Sequence, residues 1–134
     1  MSGVQDVRPE GWPRGTGYAH GTAATGRVVC VAGQVGWDPL TRAFDSDDLA
    51  AQVDRALANV RAVLDAAGAR PEDVVRMTWY ITDARAYRDA SAEIGIAYRK
   101  WFGRWFPAMT AVVVGGLLED RALVEIDAMA VVPE

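Results

Sequence analysis

The sequence is poor in the side chains on which several common chemistries depend. Among its 134 residues there is one cysteine, Cys30, one histidine, His20, and one lysine, Lys100. A single cysteine excludes an intrachain disulfide, a CxxC redox pair and a thiolate zinc site within one chain. A single histidine excludes two-histidine ribonuclease chemistry and a histidine-rich metal site, so we predict no metal centre. Schiff-base catalysis would have to use Lys100, which we interpret as a solvated side chain on a helix.

Long apolar runs and an excess of positive charge are also absent. No apolar run approaches the roughly 18 residues that a membrane-spanning helix needs. The first residues, MSGVQD, lack the charged and apolar regions of a signal peptide. The net charge of −4 and the pI of about 5.0 disfavour phosphate backbones and anionic lipids as partners. We therefore expect a soluble, cytoplasmic protein that binds neither nucleic acid nor membrane.

The composition is that of one globular domain. Hydrophobic residues make up 51% of the chain and charged residues 24%, which is an ordinary balance for a folded protein. Proline and glycine are frequent in residues 1–16, which predicts a flexible N-terminal lead-in. Residues 17–134 are predicted to form a single domain. The groups that remain available for ligand binding or non-covalent catalysis are carboxylates, hydroxyls, backbone dipoles and aromatic side chains that line a pocket.

Hydrophobic periodicity predicts five strands and two helices. Alternating or apolar runs indicate strands over residues 18–23, 27–33, 74–82, 108–114 and 123–132. The uninterrupted run from Val28 to Val31 predicts a strand that is buried on both faces. Apolar residues at spacings of three and four predict helices over residues 47–67 and 84–102. Asp45 or Ser46 is expected to cap the first helix, with Gly68 at its C-terminal end, and Asp83 to cap the second.

The element order β-β-α-β-α-β-β predicts an α+β fold with both helices on one face of a mixed sheet. One face of that sheet then stays uncovered, although its strands carry large apolar residues such as Met129. Exposed apolar patches of this size are unusual on a small monomer. We therefore predict a closed, symmetric homo-oligomer.

Two carboxylates, Glu125 and Asp127, lie inside the otherwise apolar last strand. Residues two apart on a strand share a face, with Cα atoms roughly 6.5–7 Å apart. A carboxylate beside a buried interface is suited to general acid–base work or to orienting a water molecule. The alternative is that both carboxylates are solvated or stabilise a subunit contact.

Three aromatic or polar side chains near the N-terminus are further candidates for a binding site. Tyr18 either donates a hydrogen bond to a ligand or is an edge residue. His20, which shares its face, is interpreted as a structural histidine. Trp37 either forms the wall of an apolar pocket or folds its own loop back onto the protein.

Six segments, in order and with matching spacing, resemble a known family. They are residues 17–21 (GYAHG), 31–35 (VAGQV), 51–60 around AQ and ALANV, 66–68 (AAG), 106–108 (FPA) and 124–128 (VEIDA). Over about residues 16–132 the chain resembles the reactive intermediate deaminase family (RidA, also called YjgF/YER057c/UK114). The resemblance implies a chorismate-mutase-like α+β fold and a homotrimer whose sheets form a central barrel. It also implies ligand clefts between neighbouring subunits.

Members of this family hydrolyse reactive enamines and imines to a carbonyl compound and ammonia, without a metal or an organic cofactor. By position, the resemblance implies that Tyr18 lines the cleft, that the Gly33 backbone touches the ligand and that Glu125 orients the attacking water. The chain departs from the family after FPA, where an arginine that grips the substrate carboxylate and a cysteine two residues later are replaced by Met109 and Ala111.

Methionine cannot make the bidentate, charge-assisted pair of an arginine. Two such hydrogen bonds contribute about 1.5–3 kcal/mol each, so their loss would lower affinity for a 2-imino acid by two to four powers of ten. Either another arginine reaches the carboxylate or the substrate lacks one, and Met109 beside Trp37 would favour an apolar or aromatic imine. We predict an imine or enamine hydrolase of altered specificity. The alternatives are a non-catalytic trimeric small-molecule binder and a ribonuclease, which the negative charge disfavours.

Overall fold

The computed structural model describes residues 3–134, and within this range six strands and three α-helices are found. In chain order they are β1 (Gln5–Val7), β2 (Gly21–Ala23), β3 (Arg27–Val35), α1 (Leu49–Ala66), β4 (Val74–Ile81), α2 (Ala84–Asp89), α3 (Ser91–Phe102), β5 (Ala108–Val113) and β6 (Val124–Val132). A single 3-10 turn, Pro71–Asp73, leads into β4.

Four of the strands form one mixed sheet in the order β3-β6-β4-β5. The pairs β3–β6 and β6–β4 are antiparallel, whereas β4 and β5 are parallel. A parallel pair needs a long crossover, and α2 with α3 supplies it. The predicted α+β fold with a mixed sheet is thus confirmed. Strands β1 and β2 form a separate two-stranded ribbon.

The core lies between one face of the sheet and helices α1 and α3. Strand β6 alternates as predicted, since Val124, Ile126, Ala128 and Ala130 are buried. The facing helical positions follow the predicted stripe and are also buried: Val53, Leu57, Val60 and Leu64 in α1, and Ile94, Tyr98 and Phe102 in α3. Tyr87 and Trp101 are only partly buried against this core.

The prediction that residues 28–31 are buried on both faces is wrong for the protomer. Val29 and Val31 are buried, but Val28 is 59% exposed and Cys30 is exposed. The reason is that the helices cover only one face of the sheet, so alternate residues of β3 project from the other. This uncovered surface is called the open face below.

A register shift interrupts the alternation of β4 near its start. The pairing with β6 slips between Val74 and Arg76, so Val74 is fully buried and Val75 is not. From Met77 onward, Met77, Trp79 and Ile81 face the core. Thr78, although buried, and Tyr80 lie on the side of the open face.

Local hydrogen bonds determine where the helices begin, and at the start of α1 the capping residue differs from the predicted ones. Asp48, rather than Asp45 or Ser46, caps α1, because its carboxylate accepts the Ala51 N–H at 3.0 Å. Gly68 follows the helix with a φ of +73°, the left-handed conformation expected there. Asp83 caps α2 as predicted, with 3.1 Å to the Ala86 N–H.

The second predicted helix is broken in two at Ala90. Asp89 and Ser91 flank the break, and such residues favour caps and turns over helix interiors because their side chains compete for backbone hydrogen bonds.

The N-terminal segment contains a strand that the sequence pattern does not predict. Gln5–Val7 pairs with Gly21–Ala23, and Thr22 donates a hydrogen bond from its hydroxyl to the Val75 carbonyl at 2.5 Å. Residues 1 and 2 of the predicted lead-in lie outside the described residues. In the described part of the chain, no helix is long and apolar enough to cross a membrane.

Two buried amides in α1 hold the loops that lead into and out of the sheet. Asn59 donates to the carbonyls of Val35 and Trp37 at 3.1 and 2.9 Å. Gln52 donates to the Arg121 carbonyl at 3.0 Å and accepts the Leu123 N–H at 2.8 Å. Together these bonds fix the end of β3 and the start of β6, which are the two strand ends beside Glu125.

Candidate active site

Glu125 lies near the start of β6, a central strand, with Val35 of β3 and Tyr80 of β4 as its register partners. The β3–β6 pairing is interrupted between Val31 and Gln34 by a bulge that contains Gly33. Bulges of this kind re-aim the backbone beside functional sites. Here the bulge brings Gly33 against the Glu125 carboxylate, because a Cβ on Gly33 would lie 2.3 Å from Oε2.

The Glu125 side chain is half-buried, and its carboxylate does not take part in the hydrogen bonds that hold the fold together. The carboxylate lies at the edge of the open face. Among the described residues, no side chain or backbone group donates a hydrogen bond to it. A carboxylate with unused acceptor positions can orient a water molecule and accept its proton.

Asp127, the second predicted carboxylate, has a different environment. The Tyr80 hydroxyl donates to its Oδ2 at 3.2 Å. The negative charge of Asp127 raises the pKa of the Tyr80 phenol. Burial, the hydrogen bond to Asp127 and the charge of Glu125 raise this pKa further, whereas the positive charge of Arg76 lowers it. Tyr80 therefore remains a neutral donor, and Asp127 is occupied where Glu125 is not. Tyr80, Asp127 and Arg76 border a concavity of about 330 Å³ on the open face, and Gly33 lines it as well.

Met109 and Ala111 lie on β5, the strand at the opposite edge of the sheet. Their register partners on β4 are Met77 and Trp79, so both project toward the helical side. Ala111 is exposed. Met109 is half-buried and borders a cavity of about 200 Å³ between β4, β5 and the α2–α3 pair.

Tyr18 lies close to the same edge. Its neighbour Ala19 forms a parallel bridge with Ala108 and donates its N–H to the Pro107 carbonyl at 3.0 Å. The Tyr18 ring is 40% exposed and makes an edge contact with His20, whose own Nε2 is 3.1 Å from the Pro13 carbonyl oxygen. Tyr18 is therefore available to a ligand, whereas His20 fastens the lead-in.

Trp37 lies in the loop after β3. Its ring packs against Phe44 at 5.8 Å and lies under the Arg42 guanidinium. Its carbonyl accepts hydrogen bonds from Asn59 and Arg55. The hydrogen bonds to this carbonyl hold the loop after β3 against α1.

Within one protomer, the predicted site residues form two groups rather than one. Gly33, Trp37 and Glu125 lie at the β3–β6 side, and Tyr18 with Met109 lies at the β5 edge. In particular, one protomer does not bring Met109 beside Trp37, because β3 and β5 are the two outer strands of the sheet. In the described part of the chain there is also no group of three His, Cys, Asp or Glu side chains suited to a metal ion.

A family model described as Endoribonuclease L-PSP matches residues 13–132. The chain belongs to this family. A RutC family protein of Pyrococcus abyssi is 36% identical over 105 residues, covering 78% of this chain and 79% of that protein. The 2-iminobutanoate/2-iminopropanoate deaminase of Salmonella typhimurium is 34% identical over 109 residues, covering 79% of this chain and 80% of the enzyme.

Among solved structures, a protein of unknown function of the conserved Rid protein family, YyfB from Yersinia pestis, superposes with a TM-score of 0.83. The two are 30% identical, and the superposition covers 97% of this chain and 99% of that one. The predicted membership in the RidA/YjgF family is thus confirmed, and the family includes imine deaminases.

Two residues beside the predicted site residues are not singled out by the sequence pattern. Tyr80 donates to Asp127, which is 47 positions away in the sequence. Trp79 is buried in the core and also borders the cavity beside Met109. Both contacts depend on which strands pair, and local spacing does not encode that pairing.

Proposed function

We propose that this protein is a cofactor-independent hydrolase that releases ammonia from a reactive imine or enamine. The observation that carries the proposal is the half-buried Glu125 carboxylate, which packs against the Gly33 backbone and has no hydrogen-bond donor of its own among the described residues. The similarity to a 2-iminobutanoate/2-iminopropanoate deaminase supports the same reaction class.

In the proposed reaction, Glu125 holds a water molecule and accepts a proton from it as the water oxygen bonds to the iminium carbon. Glu125 then returns the proton to the nitrogen of the tetrahedral adduct. The carbon–nitrogen bond breaks, ammonia leaves and the carbonyl forms as the Glu125 carboxylate takes the hydroxyl proton, which then passes to the released ammonia or to solvent. Positioning and electrostatics would supply most of the rate, because the substrate is already labile.

The catalytic cleft is proposed to lie between neighbouring copies in a homotrimer. A cyclic arrangement sets the β3 edge of one subunit beside the β5 edge of the next, and such head-to-tail contacts close into rings. Assembly would bring Gly33 and Glu125 of one subunit near Tyr18 and Met109 of another. The exposed apolar residues of the open face, among them Val28, Met129 and Val112, favour burial in such an assembly.

The substrate is proposed to be an imine without a carboxylate next to the reacting carbon. Met109 provides no positive charge, and it borders a cavity whose other walls include Tyr87 and Phe106. Such a surface favours an apolar or aromatic group over a 2-imino acid.

An amino-acid-oxidase or amine-oxidase coupled assay tests this proposal on a panel of aromatic, aliphatic and carboxylate-bearing imines. We expect Glu125→Ala and Glu125→Gln to lower kcat at least a hundredfold on the best substrate. Glu119→Gln, a carboxylate in the loop before β6, serves as the matched control and should be unaffected. Met109→Arg should raise activity on 2-iminopropanoate at least tenfold and lower it on the aromatic imine.

The alternative function, a non-catalytic trimeric binder, is favoured by the same Met109 substitution. It would be supported if no imine in the panel were hydrolysed faster than in buffer. A ribonuclease, which the description of the family model names, is disfavoured by the net charge of −4 and by His20, the single histidine, whose ring packs against Trp12 and Tyr18.

A further inference from the structure

A second cavity adjoins the one beside Met109, and two arginines line it. Its volume is about 290 Å³, and Arg14 of the N-terminal segment and Arg104 of the turn between α3 and β5 contribute to its walls. Gly17 and Phe106 line both this cavity and the one beside Met109, so the two spaces meet at these residues. An elongated ligand can therefore extend from one space into the other.

Neither arginine has a partner in the described part of the chain. The side chains of Arg14 and Arg104 are exposed and take part in no ion pair or hydrogen bond there. Four other arginines, by contrast, lie 2.8–3.7 Å from aspartate oxygens. Asp6 also lines the cavity, but no ion pair joins it to either arginine. Both guanidinium groups are thus free to bind a ligand.

The two walls that carry the arginines are held by contacts of neighbouring residues. On one side, Gly15 packs directly on the Tyr18 ring, because a Cβ on Gly15 would lie 2.6 Å from a ring carbon. On the other side, the Trp105 indole donates to the Val74 carbonyl at 2.8 Å. The arginines are the sequence neighbours of Gly15 and Trp105. A sphere of 290 Å³ is about 8 Å across, and long arginine side chains attached at both walls can reach one ligand within it.

The charge of this cavity favours a carboxylate as the ligand group. Guanidinium groups bind carboxylates and phosphates through paired, charge-assisted hydrogen bonds. Arg14 and Arg104 contribute two positive charges and Asp6 one negative charge, so the lining has a net charge of +1 although the whole chain has −4. A single carboxylate balances that charge, whereas a phosphate dianion exceeds it and is repelled by Asp6. Trp105 and Phe106 line the same space and provide contact for an aromatic group.

We infer that Arg14 and Arg104 bind the carboxylate of an aromatic small molecule, whose uncharged end extends past Phe106 into the cavity beside Met109. The identification of this molecule with the imine substrate rests on the proposed function, and the carboxylate is then remote from the reacting carbon. The binding itself does not depend on the proposed function.

Phenylacetate and its neutral amide, phenylacetamide, test the inference, because they differ in charge and little in shape. Their binding to the full-length protein is followed by the ¹H–¹⁵N signals of its backbone and indole groups. We expect phenylacetate to bind about tenfold more tightly than phenylacetamide, and added salt to reduce this preference. Arg14→Gln and Arg104→Gln should each weaken phenylacetate binding about threefold to tenfold without changing the affinity for phenylacetamide. Both variants should fold, since neither arginine has a partner to lose.

Arg8→Gln is the matched control. Arg8 is an exposed arginine of the same N-terminal segment that does not line the cavity, and its replacement changes the net charge by the same one unit. It should leave the affinity for phenylacetate unchanged. A loss in Arg8→Gln as large as in the other two variants would show a general charge effect and overturn the inference, as would equal affinity for the acid and the amide. Tighter binding of phenyl phosphate than of phenylacetate would overturn the assignment to a carboxylate.

Hydrolysis of two imines tests the identification with the substrate. They are made by oxidising benzylamine and 4-(aminomethyl)benzoate, and the second carries a carboxylate remote from the reacting carbon. We expect the second imine to have the higher kcat/KM, and Arg104→Gln to remove this advantage by raising KM. Equal kcat/KM values, with the phenylacetate preference intact, would overturn the identification with the substrate. A phenylacetate preference without hydrolysis of any imine contradicts the proposed function alone, whereas imine hydrolysis without that preference contradicts this inference alone.

Discussion

Replacing Gly33 with alanine is expected to displace the Glu125 carboxylate while leaving the fold intact. An added Cβ would lie 2.3 Å from Oε2, 2.8 Å from Cδ and 3.0 Å from Cγ of Glu125. Ordinary carbon–oxygen and carbon–carbon contacts are about 3.5–4.0 Å. The carboxylate must therefore move by roughly 1 Å or more, and as the end of a flexible side chain it can do so.

The expected magnitudes differ between stability and activity. Gly33 does not have a positive φ, so alanine fits its backbone and gains about 0.4–1 kcal/mol from the unfolded state, which offsets the local strain. We expect the free energy of unfolding to change by less than about 1 kcal/mol. A 1 Å misplacement of a reacting group can cost about a hundredfold in rate, so imine hydrolysis should fall by about that factor.

The assay combines denaturant unfolding with steady-state hydrolysis of the best imine found in the panel. Gly116→Ala is the matched control, because a Cβ there would have no neighbour within 4 Å. Adding Gly33→Ala to Glu125→Ala should cause little further loss, since both changes act on one carboxylate. If Gly33→Ala keeps wild-type activity while Glu125→Ala loses it, the role assigned to this contact is wrong.

Three further predictions concern the framework of the site. Gly36→Ala should lower the free energy of unfolding by about 1–3 kcal/mol. The added Cβ would lie 2.6–2.7 Å from the Cβ, O and Cα atoms of Gln52, and the backbone of α1 cannot move away. Unchanged urea unfolding would contradict this prediction. Asn59→Leu should lower the free energy of unfolding, measured in urea, by about 2–4 kcal/mol, because it leaves two backbone carbonyls without their donor. Asn59→Asp removes the same donor at nearly constant shape and so tests whether the amide is required. Burial raises the pKa of Tyr98 above its ordinary value of 10.0, so its neutral form stabilises the fold below pH 10 and that contribution is lost as the pH rises further. Urea unfolding should show a smaller loss of stability above pH 10 in Tyr98→Phe than in the wild type, and equal losses would refute this assignment.

The sequence was most informative where local patterns control the structure. Alternation in residues 124–130 correctly identified the face of β6 that packs against the helices, because the side chains of a strand point to opposite sides with a fixed period. The same period placed Glu125 and Asp127 together on the other face. The stripe from Val53 to Leu64 predicted the buried side of α1 for the equivalent reason in a helix.

Predictions failed where short-range hydrogen bonds compete. The residue that caps α1 is Asp48 and not one of the two predicted candidates, and the second predicted helix is two helices separated at Ala90. Spacing alone does not decide which of several adjacent side chains reaches a backbone N–H. The apolar run from Val28 to Val31 was misjudged because its burial depends on how many helices cover the sheet.

The periods of the sequence by themselves determined the fold class and placed two carboxylates, Glu125 and Asp127, on one face of the last strand, because these features depend on residue types and their spacing. The family, and with it the choice of Glu125, came from the resemblance to known members. The tertiary structure decided the rest. Only the strand order β3-β6-β4-β5 separates Glu125 from Met109 within a protomer, and only the bulge in β3 brings Gly33 against the carboxylate. The cavity that Arg14 and Arg104 share likewise results from contacts between segments far apart in sequence, which no local pattern can specify.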